Sequence, residues 1–121
     1  NADATSWSVM STPSSPSATS MYGVATDDAG NWIMVGSLGY VWTSSDDGAS
    51  WTEQQVPDSR GAGNYSNMLD VAYDGAGTWL IVGNASEIWK STNNGSTWTS
   101  VTPSRLSYQN FQSIQFNKTK V

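Results

Sequence analysis

The 121-residue chain has no cysteine and no histidine, and charged side chains make up only 12 % of it. Without cysteine there is no disulfide and no thiolate metal site, so bridges give no reading of the redox compartment. Without histidine the commonest zinc ligand and the commonest general base are both missing. Lysine and arginine together number five, against ten acids and a net charge of −5. A phosphate-binding groove needs clustered cations, so nucleic acid is not an expected partner. No apolar run approaches the roughly 20 residues that span a bilayer as a helix, and no charged-then-apolar export signal is visible, so membrane insertion is not expected. The chain begins at Asn1 and not at Met, as a processed or excised chain would.

What is abundant is small, polar or aromatic. Serine and threonine supply about a quarter of the residues, with 11 glycines, seven tryptophans and five tyrosines. That mixture suits short strands joined by polar turns, and the aromatics argue against disorder. The length is that of one domain.

The sequence repeats itself. Ser44-Ser45-Asp46-Asp47-Gly48-Ala49-Ser50-Trp51 returns as Ser91-Thr92-Asn93-Asn94-Gly95-Ser96-Thr97-Trp98, 47 residues later. At the same offset the run 27–36 matches 74–83, and Trp42 matches Trp89. A period between about 20 and 50 residues marks stacked supersecondary units. With the repeat as a ruler, each unit has four strands: a (Tyr22 to Thr26; Leu69 to Tyr73), b (Trp32 to Val35; Trp79 to Val82), c (Tyr40 to Ser44; Glu87 to Ser91) and d (Trp51 to Val56; Trp98 to Val101). The b strands are continuously apolar, as strands buried on both faces are.

The pattern predicts an all-β fold of four-stranded antiparallel blades, a partial β-propeller over residues 1–121. Residues 6–20 would be a d strand and loop of a preceding blade, 21–67 and 68–110 the two full blades, and 111–121 the first strand of a following one. In strand order this is d-abcd-abcd-a, a ring that one chain does not close, since propellers have roughly four to eight blades. The expected partners are therefore further blades of a longer parent chain or copies of this chain in a homo-oligomer.

Within each octet an Asp or Asn precedes Gly, the strongest short hairpin signal. Asp46 or Asn93 is placed to accept from the turn's own amides, with Ser44 or Ser91 supporting the turn and Trp51 or Trp98 anchoring it in the core. The octets resemble the Asp-box, or BNR repeat, Ser/Thr-x-Asp-x-Gly-x-Thr-Trp, with Ser50 in place of Thr and Asn93 in place of Asp. That family includes sialidase-like, sortilin-like and photosystem II assembly factor-like propellers. The resemblance implies that Ser44, Asp46, Gly48, Trp51, Ser91, Asn93, Gly95 and Trp98 are structural and lie at the outer rim, away from the ligand face.

Sialidases of that family use three arginines, and this chain has Arg60 and Arg105 alone. The acids Asp27, Asp28, Asp46, Asp47, Asp58, Asp70, Asp74, Glu53 and Glu87 fall mostly in turns or on outer strands, where a solvated carboxylate is the default. No catalytic residue, metal ligand or cofactor is expected, and the chain reads as a non-enzyme. Ligands of propellers sit on the d-to-a and b-to-c connections. Two of these share a pattern here: Arg60 with Tyr65, and Arg105 with Tyr108, offered to a glycan or protein ligand. The first expectation is a structural or adhesive display module, extracellular or on a cell or virion surface. The alternatives are a piece of a glycan-binding or glycoside-hydrolysing propeller, and an assembly factor that grips a protein through the propeller face. Asn64, Asn84, Asn94 and Asn117 each fit the glycosylation acceptor pattern.

Overall fold

The computed structural model describes residues 20–101 and 113–114. They form two four-stranded antiparallel sheets with strand orders β1-β2-β3-β4 and β5-β6-β7-β8. The first consists of β1 (Met21–Thr26), β2 (Trp32–Gly36), β3 (Tyr40–Ser44) and β4 (Thr52–Gln55). The second consists of β5 (Met68–Tyr73), β6 (Trp79–Gly83), β7 (Ile88–Ser91) and β8 (Thr99–Ser100). Each a, b, c and d segment expected from the repeat becomes one strand, with small changes at the ends. Glu87 precedes β7, and Trp51, Val56, Trp98 and Val101 flank their strands and are not part of them.

The 47-residue copy extends to backbone detail. Both a–b pairings carry an irregularity at the same place, Met21/Gly23 and Met68/Asp70. Both b–c turns are short 3-10 segments with a left-handed residue inside, Leu38 at φ 54° and Ala85 at φ 58°. Both c–d turns put a left-handed Asp47 or Asn94 before the glycine. Both a–b turns are closed by an aspartate that accepts two amides, Asp27 from Ala29 and Asn31 and Asp74 from Ala76 and Thr78, at 2.7 to 3.0 Å.

Strands β1 and β5 lie side by side, and the approach is close. A Cβ on Gly23 would stand 2.8 Å from the Asp70 Cα. The core runs through both sheets: Ile33, Val35, Val41 and Val56 from the first meet Met68, Val71, Trp79 and Ile81 from the second. The b strands are less uniformly covered than their composition suggests. Trp32, Met34 and Leu80 are half-buried, while Ile33, Val35, Trp79, Ile81 and Val82 are buried.

The anchoring tryptophans also differ from expectation. Trp42 and Trp79 are enclosed, at 1 % and 0 % exposure. Trp51 and Trp98 are half-buried, and Trp98 packs against the core from its margin. Position 98 ends the c–d turn, outside the strand that follows it.

The d strand expected from Ser6 to Val9 lies outside the described residues, as does most of the a strand expected from Phe111 to Phe116. Of the latter, Ser113 and Ile114 are described, and the Ile114 amide donates to Asp70 Oδ2 at 3.0 Å. That bond places the Ile114 backbone beside Asp70 of β5.

Candidate functional site

The octets are closed on themselves. Ser44 Oγ donates to Asp46 Oδ1 at 2.8 Å and accepts the Gly48 amide at 2.8 Å, and the Ser50 amide and hydroxyl donate to the Asp46 carboxylate at 2.9 and 2.6 Å. In the second octet Ser91, Asn93, Gly95 and Thr97 repeat the arrangement at 2.8 to 3.0 Å. The b strand joins in: Trp32 Nε1 donates to Asp47 Oδ1 and Trp79 Nε1 to Asn94 Oδ1, each at 3.1 Å. Sequence reasoning missed this link, although both pairs are 15 residues apart. The side-chain oxygens of Ser44, Asp46, Ser91 and Asn93 are thus occupied by the turns they build.

This arrangement has a pH signature. The Ser50 hydroxyl and amide, then Ser44, stabilise the charged Asp46 and lower its carboxyl from 3.8 to about 2. A depressed carboxyl stabilises the fold fully above its unfolded pKa, and that contribution fades as pH falls from 3.8 through about 2. Asp46→Asn copies the second octet, which has Asn93. It is expected to remove this part of the acid sensitivity, so that in acid titrations followed by tryptophan fluorescence the variant loses less stability than the parent across that window.

The opposite end of the blades differs. The loop 57–67 joins β4 to β5, and two carboxylates organise it. Asp58 is buried, with no side-chain exposure, and binds the Arg60 guanidinium at 2.5 Å while Arg60 itself is 55 % exposed. Asp58 also accepts the Arg60 amide at 2.9 Å and the Ser66 hydroxyl at 3.0 Å. The guanidinium hydrogen bond, opposed by burial, holds the Asp58 carboxyl below its ordinary value. One residue on, the Ser59 amide and hydroxyl donate to Glu87 at 2.9 and 2.5 Å, and Trp89 Nε1 donates to the same carboxylate at 2.9 Å. Glu87 is 2 % exposed.

Both acids overturn the expectation of solvated side chains. An acid in a loop is ordinarily hydrated, but here backbone, hydroxyl and indole donors replace the lost water, together with a guanidinium at Asp58. One signal was available in the sequence: Glu87 breaks the repeat, standing where the first blade has Tyr40, which stacks on Trp42 at 5.7 Å.

The b–c turn of the first blade sits under this loop. The Leu38 amide donates to Asn67 Oδ1 at 2.9 Å, and the Leu38 carbonyl accepts from Gln55 Nε2 at 2.9 Å. The Leu38 side chain, 54 % exposed, is held outward, and Tyr65 is 37 % exposed. The Tyr65 ring lies by Gly39, where an added Cβ would be 3.4 Å from Cδ1. The loop therefore carries Arg60 and Tyr65, with Leu38 on a turn bonded to its end at Asn67. Arg105 and Tyr108, the corresponding pair of the next loop, lie outside the described residues. Among the described residues no group of three acids is placed to hold a metal ion.

No family model matches the sequence, and no curated protein matches it. Solved structures do. YCF48 from Cyanidioschyzon merolae superposes with a TM-score of 0.63 at 19 % identity, over 74 % of this chain and 29 % of that one. YCF48 bound to D1 peptide superposes with a TM-score of 0.53 at 15 % identity, over 68 % of this chain and 26 % of that one. The chain thus spans under a third of the length of these neighbours. At such identities the likeness concerns architecture, and with the two stacked four-stranded sheets it establishes the fold: the chain is part of a β-propeller.

Proposed function

We propose that this chain is a non-catalytic part of a protein-binding propeller, and that its loop face, built from Arg60, Tyr65 and Leu38, contributes to gripping a peptide segment of a partner protein. The observation that carries the reading is the bracing of loop 57–67 by two buried carboxylates. An exposed arginine held by Asp58 and a loop fastened to Glu87 lose little freedom on binding, so more of the contact energy appears as affinity. Tyrosine and arginine are also the side chains that dominate protein contacts. One structural neighbour is a YCF48 bound to D1 peptide, which favours a protein ligand over the adhesive or glycan-directed roles. Catalysis has no part in this reading: the Asp58 and Glu87 oxygens are engaged by Arg60, Ser59, Ser66 and Trp89.

The test is binding of the chain to a peptide array that includes D1-derived peptides and scrambled controls, followed by titration of the strongest binder. Arg60→Ala and Tyr65→Ala are each expected to weaken that peptide about tenfold, the loss of about 1.4 kcal/mol typical of a substantial contact. Asp46→Ala at the far rim is the control and should leave the affinity unchanged. Equal affinity of all four proteins, or no peptide binding at all, rejects the assignment.

A further inference from the structure

Asn94 is the one asparagine of the chain that glycine follows. Glycine has no side chain to hinder attack of its amide on the preceding carboxamide, so this dipeptide is where an ageing chain first loses ammonia. The reaction needs only water. The Gly95 nitrogen bonds to Asn94 Cγ, the Cγ–Nδ2 bond breaks, and the proton of the attacking nitrogen leaves with the amide as ammonia. Water then opens the cyclic imide at either carbonyl. Breaking the bond from the imide nitrogen to Cγ gives aspartate. Breaking the bond to the main-chain carbonyl gives isoaspartate, in which the backbone is longer by one methylene.

In the fold both reacting groups are engaged. The Gly95 amide donates to Ser91 Oγ at 2.9 Å, and Trp79 Nε1 donates to Asn94 Oδ1 at 3.1 Å. Asn94 is exposed and borders a polar cleft of about 310 Å³ lined by residues of both octets, so water reaches it.

The two products meet different surroundings. The aspartate has a precedent in the first blade, where Asp47 has the same φ of 57° and accepts Trp32 Nε1 at the same 3.1 Å. The isoaspartate inserts its methylene directly before Gly95, whose place is tight. A Cβ on Gly95 would stand 2.7 Å from Thr43 Cγ2 and 2.9 Å from Ile33 Cδ1, and the Gly95 carbonyl accepts from Gln54 Nε2. These contacts seat the second octet on the first blade, and a longer backbone displaces Gly95 from them.

We propose that Asn94 is the deamidation site of this chain, that its bonds to Ser91 and Trp79 hold the reaction back, and that the isoaspartate product loosens the seat of the second octet on the first blade.

Incubation of the chain at neutral pH with and without guanidinium chloride, followed by peptide mapping for aspartate and isoaspartate at position 94, tests this. In the folded chain conversion is expected at Asn94 before any other asparagine, about tenfold more slowly than in denaturant, since two hydrogen bonds must open first. Ser91→Ala removes one of them and is expected to raise the folded rate about fivefold. The denaturant comparison uses the parent alone, so it decides even where Ser91→Ala fails to fold. Asn94→Asp copies the first product and should keep the parent's unfolding midpoint, whereas the chromatographically isolated isoaspartate form should unfold at a lower one. Equal rates in the folded and denatured chain overturn the inference, as does earlier conversion at another asparagine. So does a folded Ser91→Ala variant with the parent's rate, or an isoaspartate form with the parent's midpoint.

Discussion

Trp79→Ala is expected to destabilise the fold by about 3 to 5 kcal/mol, the range for truncating a large enclosed aromatic. Trp79 is fully buried, its ring lies 4.6 Å from that of Tyr73, and its Nε1 donates to Asn94 Oδ1. The substitution therefore leaves a cavity in the b strand and an unpaired oxygen in the turn that seats on the first blade. Urea denaturation followed by circular dichroism reads the loss, and a midpoint within error of the parent would refute this placement of the residue. Trp98→Ala provides the contrast. Its indole is half-buried, and its Nε1, buried itself, has no partner among the described residues. It should cost less than Trp79→Ala, because less surface returns to water and no hydrogen bond is broken.

Gly39→Ala is expected to be the second most damaging change. Gly39 has φ 74°, and a Cβ there would stand 2.4 Å from the Val56 carbonyl oxygen, a backbone atom that cannot rotate aside. Its own carbonyl accepts the Val56 amide at 2.8 Å. Left-handed strain of about 1 to 2 kcal/mol adds to an overpacking cost of about 1 to 3, for about 2 to 5 kcal/mol in total. The turn also supports Leu38 and Tyr65, so peptide affinity should fall even under conditions where the variant remains folded. Thermal unfolding and a binding titration on the same sample separate the two effects. An unchanged melting temperature would contradict the backbone contact described at Gly39.

The repeat made the strands legible. A copy at fixed offset locates every strand twice, and errors at one blade are corrected by the other, which is why the differences were confined to strand ends. What the repeat could not reveal is where the blades must differ. Asp58 and Glu87 look like solvated acids because composition gives the average environment of a loop carboxylate, whereas their burial depends on particular donors, Arg60 and Ser66 for Asp58 and, from 28 residues away, Ser59 for Glu87. Likewise Trp98 shares its pattern position with Trp51, but pattern position does not say how many sides of a ring are covered. Trp79 by contrast is enclosed, with Tyr73 against its ring and Asn94 on its Nε1. Arg60 and Tyr65 stand out in the sequence because Arg105 and Tyr108 repeat them, whereas the hydrogen bonds by which Asp58 holds Arg60 had no sequence signal.

The blades are fixed to each other at two radii, at Gly23 against Asp70 and at Gln54 against Gly95. A joint held at two separated points resists rotation as a single pivot does not. The wedge between these two sheets is therefore a built-in angle, and repeating it generates curvature with no further instruction from the sequence. Side-chain volume at Gly95, where a Cβ would already stand 2.7 Å from Thr43 Cγ2, limits how closely this wedge shuts.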